Sequence, residues 1–319
     1  MSMPFYVSPE QAMRDKADYA RRGIARGRSC VTLQYAGGIL MVTPNASSAL
    51  HKISELYDRI AFAAVGRFTE YEALRKAGVT YADLTGYQFD RTDVSVRSIA
   101  NYYAQNLDQI FTQSLKPYEV EIVVAEVGTQ PDNDQIYRIT YDGSVSDEPG
   151  FVAFGGQADQ VADVLKERFS DGMSLTEALS AALAALAAPS SGSSGSSSSA
   201  SGNNGQPAEL TAAELEVAVL DRARAHRTFR RLRGARLEEL LAESREASSS
   251  SGSESGSGSS GSGSGSSKSG SSGSSGSGSS GSSGSGSSSR RSSGSGNSGG
   301  EPPTGPSAGG SDGIPKSGK

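Results

Sequence analysis

Apolar side chains recur at helical spacing near the start of the chain. The stripe consists of Met13, Ala17, Ala20 and Ile24, a spacing typical of a helix that packs one face against the rest of a protein. Ser8 is expected to cap this helix, with Pro9 at its first position and Gln11 completing a capping box. Gly23 and Gly27 are predicted to end it.

The pattern then changes to the alternation that is typical of strands. Apolar residues alternate over 31–35, and after the glycine pair at 37–38 the chain returns as a second strand over 39–42. Glycines at this place supply the backbone angles of a tight turn, so the segment predicts a β-hairpin. A second hairpin is predicted over 53–65, with its bend at 57–59.

The later apolar segments predict further helices and strands. Two helices follow residue 65, and the second is expected to begin at an Asp93 cap. The buried face of this second helix is predicted to consist of Val96, Ile99, Tyr103, Leu107 and Ile110. The strands expected after it cover residues 118–127, 135–141, 151–154, 215–220 and 229–232, with a turn at Asp142 and Gly143. The remaining helices are expected over 159–169, 174–186 and 237–241, and Ser174 with Glu177 forms a second capping box.

The order of these elements is strands, a helix pair, strands, a second helix pair and a final group of strands. Each sheet must cover one face with the other sheet and its second face with helices. A four-layer αββα sandwich of the α+β class, with an additional N-terminal helix, satisfies this requirement. The order of elements alone also permits other α+β folds.

Two segments carry no such pattern. Residues 189–207 and 248–319 are rich in Ser and Gly and contain very few apolar side chains. Segments of this composition cannot bury enough surface to offset their ordering entropy, so both are expected to be flexible coils. The chain is therefore predicted to consist of a tail over 1–7, a folded domain over 8–247 with one flexible insertion, and a disordered C-terminal extension.

Charge and cysteine content indicate the compartment. The net charge of −5 argues against a protein dedicated to binding nucleic acid or an anionic membrane. The single cysteine, Cys30, excludes an intramolecular disulfide and fits a reducing environment. The polar start of the chain does not resemble a signal peptide, and no apolar run reaches the roughly 20 residues of a membrane helix. We expect a cytoplasmic protein.

Several kinds of chemistry are excluded by the residues present. His51 and His226 are the only histidines, so neither a His-based metal site nor a Ser-His-Asp triad is expected. The chain has no phosphate-binding Gly-x-x-x-x-Gly-Lys-Ser/Thr motif, so any ATP hydrolysis must come from a partner. No cofactor is expected. The arginine-rich residues 222–236 are interpreted as a solvated or subunit-facing strand, and a nucleic-acid-binding module is the alternative.

The first part of the chain resembles a known family. An N-terminal helix from Ser8 is followed by a basic, Gly-containing link over 21–28, the hairpin over 29–42 and the strand over 52–58. This order is similar to the N-terminal third of proteasome α-subunits, and most similar to the actinobacterial kind. The resemblance covers residues 5–187 and 210–241 and implies the αββα fold.

The resemblance also implies an assembly and its partners. Relatives form a homo-heptameric ring that caps a ring of catalytic β-subunits and receives protein substrates from a ring-shaped AAA ATPase. In the actinobacterial kind, the substrates carry a small disordered protein modifier. The segment that would close the axial pore consists of Met1, Ser2, Met3, Pro4, Phe5, Tyr6 and Val7, with Ser8 and Pro9 as its hinge. The family's Tyr-Asp-Arg before the helix is absent, so this gate departs from the archaeal and eukaryotic pattern.

A docking pocket for the ATPase follows from the same resemblance. Lys52 matches the lysine that binds the C-terminal carboxylate of an activator tail, a role that suits a compact positive charge. Gly27 and Gly66 match positions where the backbone must come close to that tail. Asp18 matches an acidic residue beneath the pocket. Without the resemblance, Lys52 would be interpreted as a solvated lysine at a strand end.

Catalysis by this chain itself is not expected. When the first hairpin is aligned with the catalytic members of the family, Arg28 occupies the position of the catalytic Thr, and Pro44 lies near that of the supporting Asp. Of the three catalytic residues only the Lys is present, as Lys52. Such an enzyme also requires a free α-amine at the nucleophile. The alternative is a hydrolase activated by cleavage before Ser29, Cys30 or Thr32.

Overall fold

The structure, a computed structural model, describes residues 8–191 and 210–250. Its helices are α1 (Pro9–Ala25), α2 (Phe68–Gln88), α3 (Val96–Gln113), α4 (Ala158–Arg168), α5 (Leu175–Ser191) and α6 (Ala235–Ser250). Its strands are β1 (Cys30–Tyr35), β2 (Gly38–Pro44), β3 (Ile53–Tyr57), β4 (Ile60–Gly66), β5 (Val120–Glu126), β6 (Gln135–Ile139), β7 (Val145–Asp147), β8 (Phe151–Phe154), β9 (Leu215–Asp221) and β10 (Phe229–Leu232). The two predicted hairpins are confirmed as β1–β2 and β3–β4.

These strands form two antiparallel sheets of five strands each. The first sheet has the order β10-β9-β2-β1-β8, and the second has the order β3-β4-β5-β6-β7. In the first sheet, β2 lies between β1 and β9, so Val42 pairs with Val31 on one side and with Val217 on the other. The edge strands of the first sheet are β10 and β8, and those of the second sheet are β3 and β7.

Alternation along the strands divides the core into layers. Between the two sheets lie Cys30, Ile39, Met41 and Phe154 of the first sheet and Ala61, Ala63, Val65 and Val123 of the second. The opposite face of the first sheet packs Leu33 and Leu40 against α4, α5 and α6. The opposite face of the second packs Phe62 and Val124 against α2 and α3. The structure therefore confirms the four-layer αββα sandwich.

Helix α1 packs against the second sheet and also contacts the end of α3 at Phe111. Ala20 and Ile24 are buried against Tyr141, and Lys16 Nζ donates to the carbonyl oxygen of Phe111 at 3.1 Å. Gly23, which was predicted to end the helix, lies inside it, and a Cβ at this position would displace the carboxylate of Glu119. Of the predicted apolar stripe, Met13 stays 38% exposed.

Several local predictions were wrong. Helix α3 is capped by Ser95 and not by Asp93, whose carboxylate instead caps a short 3-10 turn that precedes the helix. The Gln11 side chain donates to Asp15 at 2.7 Å, so the first capping box does not form, although the Ser8 cap does. The box of Ser174 and Glu177 is confirmed.

Two elements differ in extent from their prediction. Strand β7 (Val145–Asp147) was not predicted, because it contains one apolar residue in three. The last helix begins at Ala235 and is longer than residues 237–241. Among residues 8–191 and 210–250, no helix has the length and apolar character needed to cross a bilayer. The predicted gate over 1–7 and most of both Ser/Gly segments lie outside the described residues.

Candidate functional site

Lys52 lies immediately before β3, where backbone hydrogen bonds fix its position. Its N–H donates to Oε2 of Glu216 at 2.9 Å. Its carbonyl oxygen accepts the N–H of Ala64 at 3.0 Å, which extends the β3–β4 ladder by one residue. The first of these bonds ties Lys52 to the first sheet and the second ties it to the second sheet, so the residue is held at the boundary between them.

The side chain of Lys52 reaches back to the start of the first hairpin. Its Nζ donates to the carbonyl oxygens of Arg28 at 3.5 Å and Pro44 at 3.4 Å, and to Oγ1 of Thr43 at 3.5 Å. All three acceptors are uncharged and lie at the long end of hydrogen-bond distance. Burial lowers the pKa of Lys52. Within the described part of the chain no carboxylate lies within ion-pair distance of Nζ, and the negative charge of Glu216 acts on it only from further away.

Gly27 and Gly66 lie side by side below this lysine. A Cβ on Gly27 would lie 2.5 Å from Cγ1 of Val65 and 3.6 Å from the nitrogen of Gly66. Gly66 has a φ of +119°, and a Cβ there would overlap the carbonyl oxygen of Glu119. Glycine is therefore required at both positions by the packing of this chain alone.

Asp18 is not brought into the same group. Its exposed carboxylate pairs with Arg21 one helical turn further along α1, at 3.5 Å. The Asp18 contacts found among the described residues do not include Lys52, Gly27 or Gly66. Of the four residues predicted to form the pocket, the structure brings Gly27 and Gly66 together, and joins Lys52 to the adjacent Arg28 carbonyl.

Sequence reasoning missed Glu216, the residue that positions this group. Glu216 is buried on β9, where its Oε2 accepts from Nδ2 of Asn45 at 2.8 Å as well as from the Lys52 N–H. Its Oε1 accepts the N–H of Ile53 at 3.2 Å and pairs with Arg231. The available signal was a single carboxylate inside the apolar segment 215–220, because a buried charge needs partners.

The alternative nucleophiles of the first hairpin are all buried. The Ser29 hydroxyl donates to the carbonyl oxygen of Gly156, and Thr32 and Cys30 are fully enclosed. Burial raises the pKa of the Cys30 thiol to about 12, so at neutral pH it stays protonated and unreactive. Pro44 contributes only its carbonyl oxygen to Lys52. The arrangement therefore lacks an activated nucleophile with a base beside it.

Most of the predicted arginine-rich run is neutralised within the domain. Arg222 makes a two-pronged pair with Asp134 at 2.8 Å. The other pairs are Arg227 with Glu55, Arg230 with Asp221, Arg231 with Glu216 and Arg236 with Glu239. Nucleic-acid binding needs free cations along a continuous surface, and these arginines do not supply one. Arg236 is itself part of α6, where it pairs with Glu239 one turn further along.

No metal site is apparent in the parts of the chain that the structure describes. Across residues 8–191 and 210–250, no group of three or more His, Cys, Asp or Glu side chains could hold a metal ion.

Comparison with known proteins gives consistent similarities. A family model described as "Proteasome subunit" matches residues 24–201. The Streptosporangium roseum protein named "Proteasome subunit alpha" is 62% identical over 244 residues, which are 76% of this chain and 88% of that protein. Proteins of the same name from Thermobifida fusca and Thermomonospora curvata are 59% and 61% identical over 76% of this chain, and the matches cover 92% and 99% of those proteins. The similarity thus spans the described domain.

We expect Glu216→Ala to destabilise the chain strongly. The change leaves the half-buried Arg231 without its carboxylate and the N–H groups of Lys52 and Ile53 without acceptors. Removing one partner of a buried ion pair costs about 3–5 kcal/mol. Urea unfolding of the full chain, followed by circular dichroism, measures the loss. The control is Glu214→Ala, an exposed carboxylate that bonds only Thr211 and should cost about 1 kcal/mol or less. Equal losses for the two variants would contradict the role of Glu216.

The native Cys30 thiol should resist alkylation. Because its pKa is raised to about 12 and its side chain is enclosed, iodoacetamide at pH 8 should leave the folded chain unmodified. Intact mass spectrometry measures the product, and the same chain in denaturant, where the thiol is free to react, is the control. Rapid labelling of the folded chain would show an accessible thiolate and would support the hydrolase alternative.

Proposed function

This chain belongs to the proteasome subunit family, and from that premise we propose that it is the noncatalytic α-subunit of the 20S proteasome core. The observation that carries the proposal is the way the link between α1 and β1 is bonded into the fold. The carbonyl oxygen of Gly27 accepts the N–H of Gly156 at 3.1 Å, so the link is held inside the fold. A nucleophile that used its own α-amine would require a chain end at this place.

In the proposed assembly, seven copies form the outer ring and residues 1–7 close its axial pore. Support comes from α1, which begins at Pro9 directly after the gate segment. The Ser8 hydroxyl accepts the N–H of Gln11 at 3.2 Å, and the ring of Pro9 restricts the backbone. These two residues fix where the ordered helix starts. Phe5 and Tyr6 are the residues proposed to give the closed gate cohesion through aromatic contact.

We propose that the ring docks a ring-shaped AAA ATPase through C-terminal tails that enter the pocket of Lys52, Gly27 and Gly66, with Asp18 beneath it. The support is an ammonium group whose present acceptors are uncharged, one of them the carbonyl oxygen of Arg28, which follows Gly27 in the chain. The ring would pass tagged protein substrates to the β-subunits, in the cytoplasm where ATP is available. A tail opens the gate only if it binds the open state more tightly than the closed one.

Lys52→Ala should leave the core particle assembled but abolish ATPase-stimulated protein degradation. The variant removes a charged donor, and a hydrogen bond to a charged group contributes about 1.5–3 kcal/mol, which corresponds to roughly tenfold or more in tail affinity. Degradation of a tagged protein by the reconstituted complex is the measurement, with native mass spectrometry as the test of assembly. Lys166→Ala, which removes an exposed lysine paired with Asp163 on α4, is the matched control. Unchanged stimulation in Lys52→Ala would remove the pocket from the proposal.

Deleting residues 2–7 should open the pore without an activator. If the open state is a minor one of about 10% or less, hydrolysis of a small peptide by the core particle should rise roughly tenfold, and added ATPase should stimulate it little further. The readout is the rate of peptide cleavage by the complex of this chain with its β-subunits. A deletion that leaves basal cleavage unchanged would contradict a gating role for these residues.

A further inference from the structure

A large cleft on one side of the sandwich has no role in the proposed docking pocket. It has a volume of about 850 Å³ and opens between the edge strands β3 and β10, with the first turns of α2 as its third wall. Its basic lining side chains are His51, Arg75, Arg224, Arg227, Arg231 and Arg233. Two half-buried aromatic rings, Phe68 and Phe229, lie in the same lining.

Three of these arginines are already neutralised. Arg75 makes a two-pronged pair with Glu72 at 2.7 and 2.8 Å, and Arg227 binds both oxygens of Glu55 at 3.0 Å. Arg231 pairs with Glu216 from behind the cleft. Each pair holds its guanidinium in place and leaves it with little net charge to offer a ligand.

Arg224 and Arg233 are different, because no carboxylate of the described residues lies within ion-pair distance of either. Both side chains are exposed at the cleft. Arg233 Nη2 lies 3.1 Å from His51 Nε2. Because arginine can only donate, Nε2 of His51 accepts, and the imidazole ring carries its proton on Nδ1. This Nδ1 lies 3.4 Å from Oε1 of Glu216. The two atoms do not have the geometry of a hydrogen bond. Burial and the neighbouring Arg231 lower the pKa of His51, which agrees with a neutral ring. The cleft therefore has two solvent-exposed guanidinium groups without a carboxylate partner among the described residues.

The opposite edge of the second sheet has the complementary groups. All three residues of β7 are exposed, and Val145 keeps 41% of its surface accessible. Asp147 ends this strand and Glu148 follows it, and neither forms an ion pair with a basic side chain in the described parts of the chain. Glu148 accepts the Ser146 hydroxyl at 2.6 Å, which restrains its carboxylate at this edge. Free carboxylates and an exposed valine therefore meet on one short strand.

We infer that the arginine cleft receives the β7 edge of a second copy of this chain, with Asp147 and Glu148 pairing Arg224 and Arg233. The inference rests on the proposed ring, and it names one contact between adjacent subunits. Because the cleft borders β3 and the acidic edge is β7, the two surfaces lie on opposite edges of one five-stranded sheet. Two different surfaces that complement each other make a head-to-tail contact, which closes into a ring when the rotation allows it.

The cleft fits an acidic protein edge better than a nucleic acid. Phosphate backbones need a row of free cations, whereas this cleft has two free arginines among paired ones. Its two phenylalanine rings also give Val145 an apolar surface to cover. Charge-assisted hydrogen bonds between guanidinium and carboxylate are strong and directional, so they can set the register between neighbouring subunits.

The test is a charge exchange in the full chain, co-expressed with its β-subunits and measured by native mass spectrometry over a dilution series. The double variant with Arg224→Glu and Arg233→Glu should form a weaker ring, because its new carboxylates face those of the neighbouring β7 edge. The protein concentration below which the ring dissociates should rise by about tenfold or more. The pair Asp147→Lys and Glu148→Lys should do the same. All four changes together should restore the ring. Arg168→Glu, an exposed site on α4, is the matched control and should have no effect.

The outcomes separate this inference from the proposed function. A ring that forms normally with either single-edge reversal, or that is not restored by the four changes together, would overturn the contact and leave the α-subunit role standing. An unmodified chain that forms no ring with its β-subunits would overturn both. Loss of binding to single-stranded RNA by the arginine variant, with unchanged assembly, would assign the cleft to nucleic acid instead. The circular dichroism spectra of all variants serve to show that each one folds.

Discussion

One buried carboxylate fixes how the two sheets meet at the candidate site. Glu216 belongs to the first sheet, yet it accepts the N–H groups of Lys52 and Ile53 at the start of the second. The layer of side chains between the sheets is apolar, and apolar contact is not directional, so polar bonds at its edges fix the alignment. The hydrogen bonds of Glu216 therefore set where β3 begins relative to β9. They also determine where the ammonium group of Lys52 lies.

Helix α1 imposes a second constraint that is coupled to the first. The link to β1 packs so closely on the second sheet that a Cβ on Gly27 would overlap Val65, and a Cβ on Gly23 would displace the carboxylate of Glu119. The Arg28 carbonyl oxygen, at the end of this link, is one of the acceptors of Lys52 Nζ. The lysine therefore bonds to backbone at the place where a catalytic relative would need a chain end. In this fold, a closed link and a self-activated nucleophile exclude each other.

The features that could be predicted from the sequence were local ones. Alternation gave both hairpins, and helical spacing gave the buried face of α3, with Tyr103 and Leu107 fully enclosed. Asp93 and Ser95 are both good caps two residues apart, and only packing decides between them. The bond from Glu216 to Lys52 joins residues 164 positions apart, so no local pattern could reveal it. The grouping of Lys52 with the two glycines came from family resemblance and not from periodicity.

The distribution of paired and unpaired charges is the property that links this fold to its assembly. A charge removed from water is costly unless a partner repays the desolvation, and the domain meets this cost internally for the largely buried Arg222 and Arg231. Lys52 and the arginines at 224 and 233 have no such carboxylate among the described residues. Arg224 and Arg233 line the cleft between β3 and β10, and Lys52 lies at the boundary between the two sheets. In the two proposals, the activator tail supplies a carboxylate to Lys52, and the neighbouring subunit supplies carboxylates to the two arginines of the cleft.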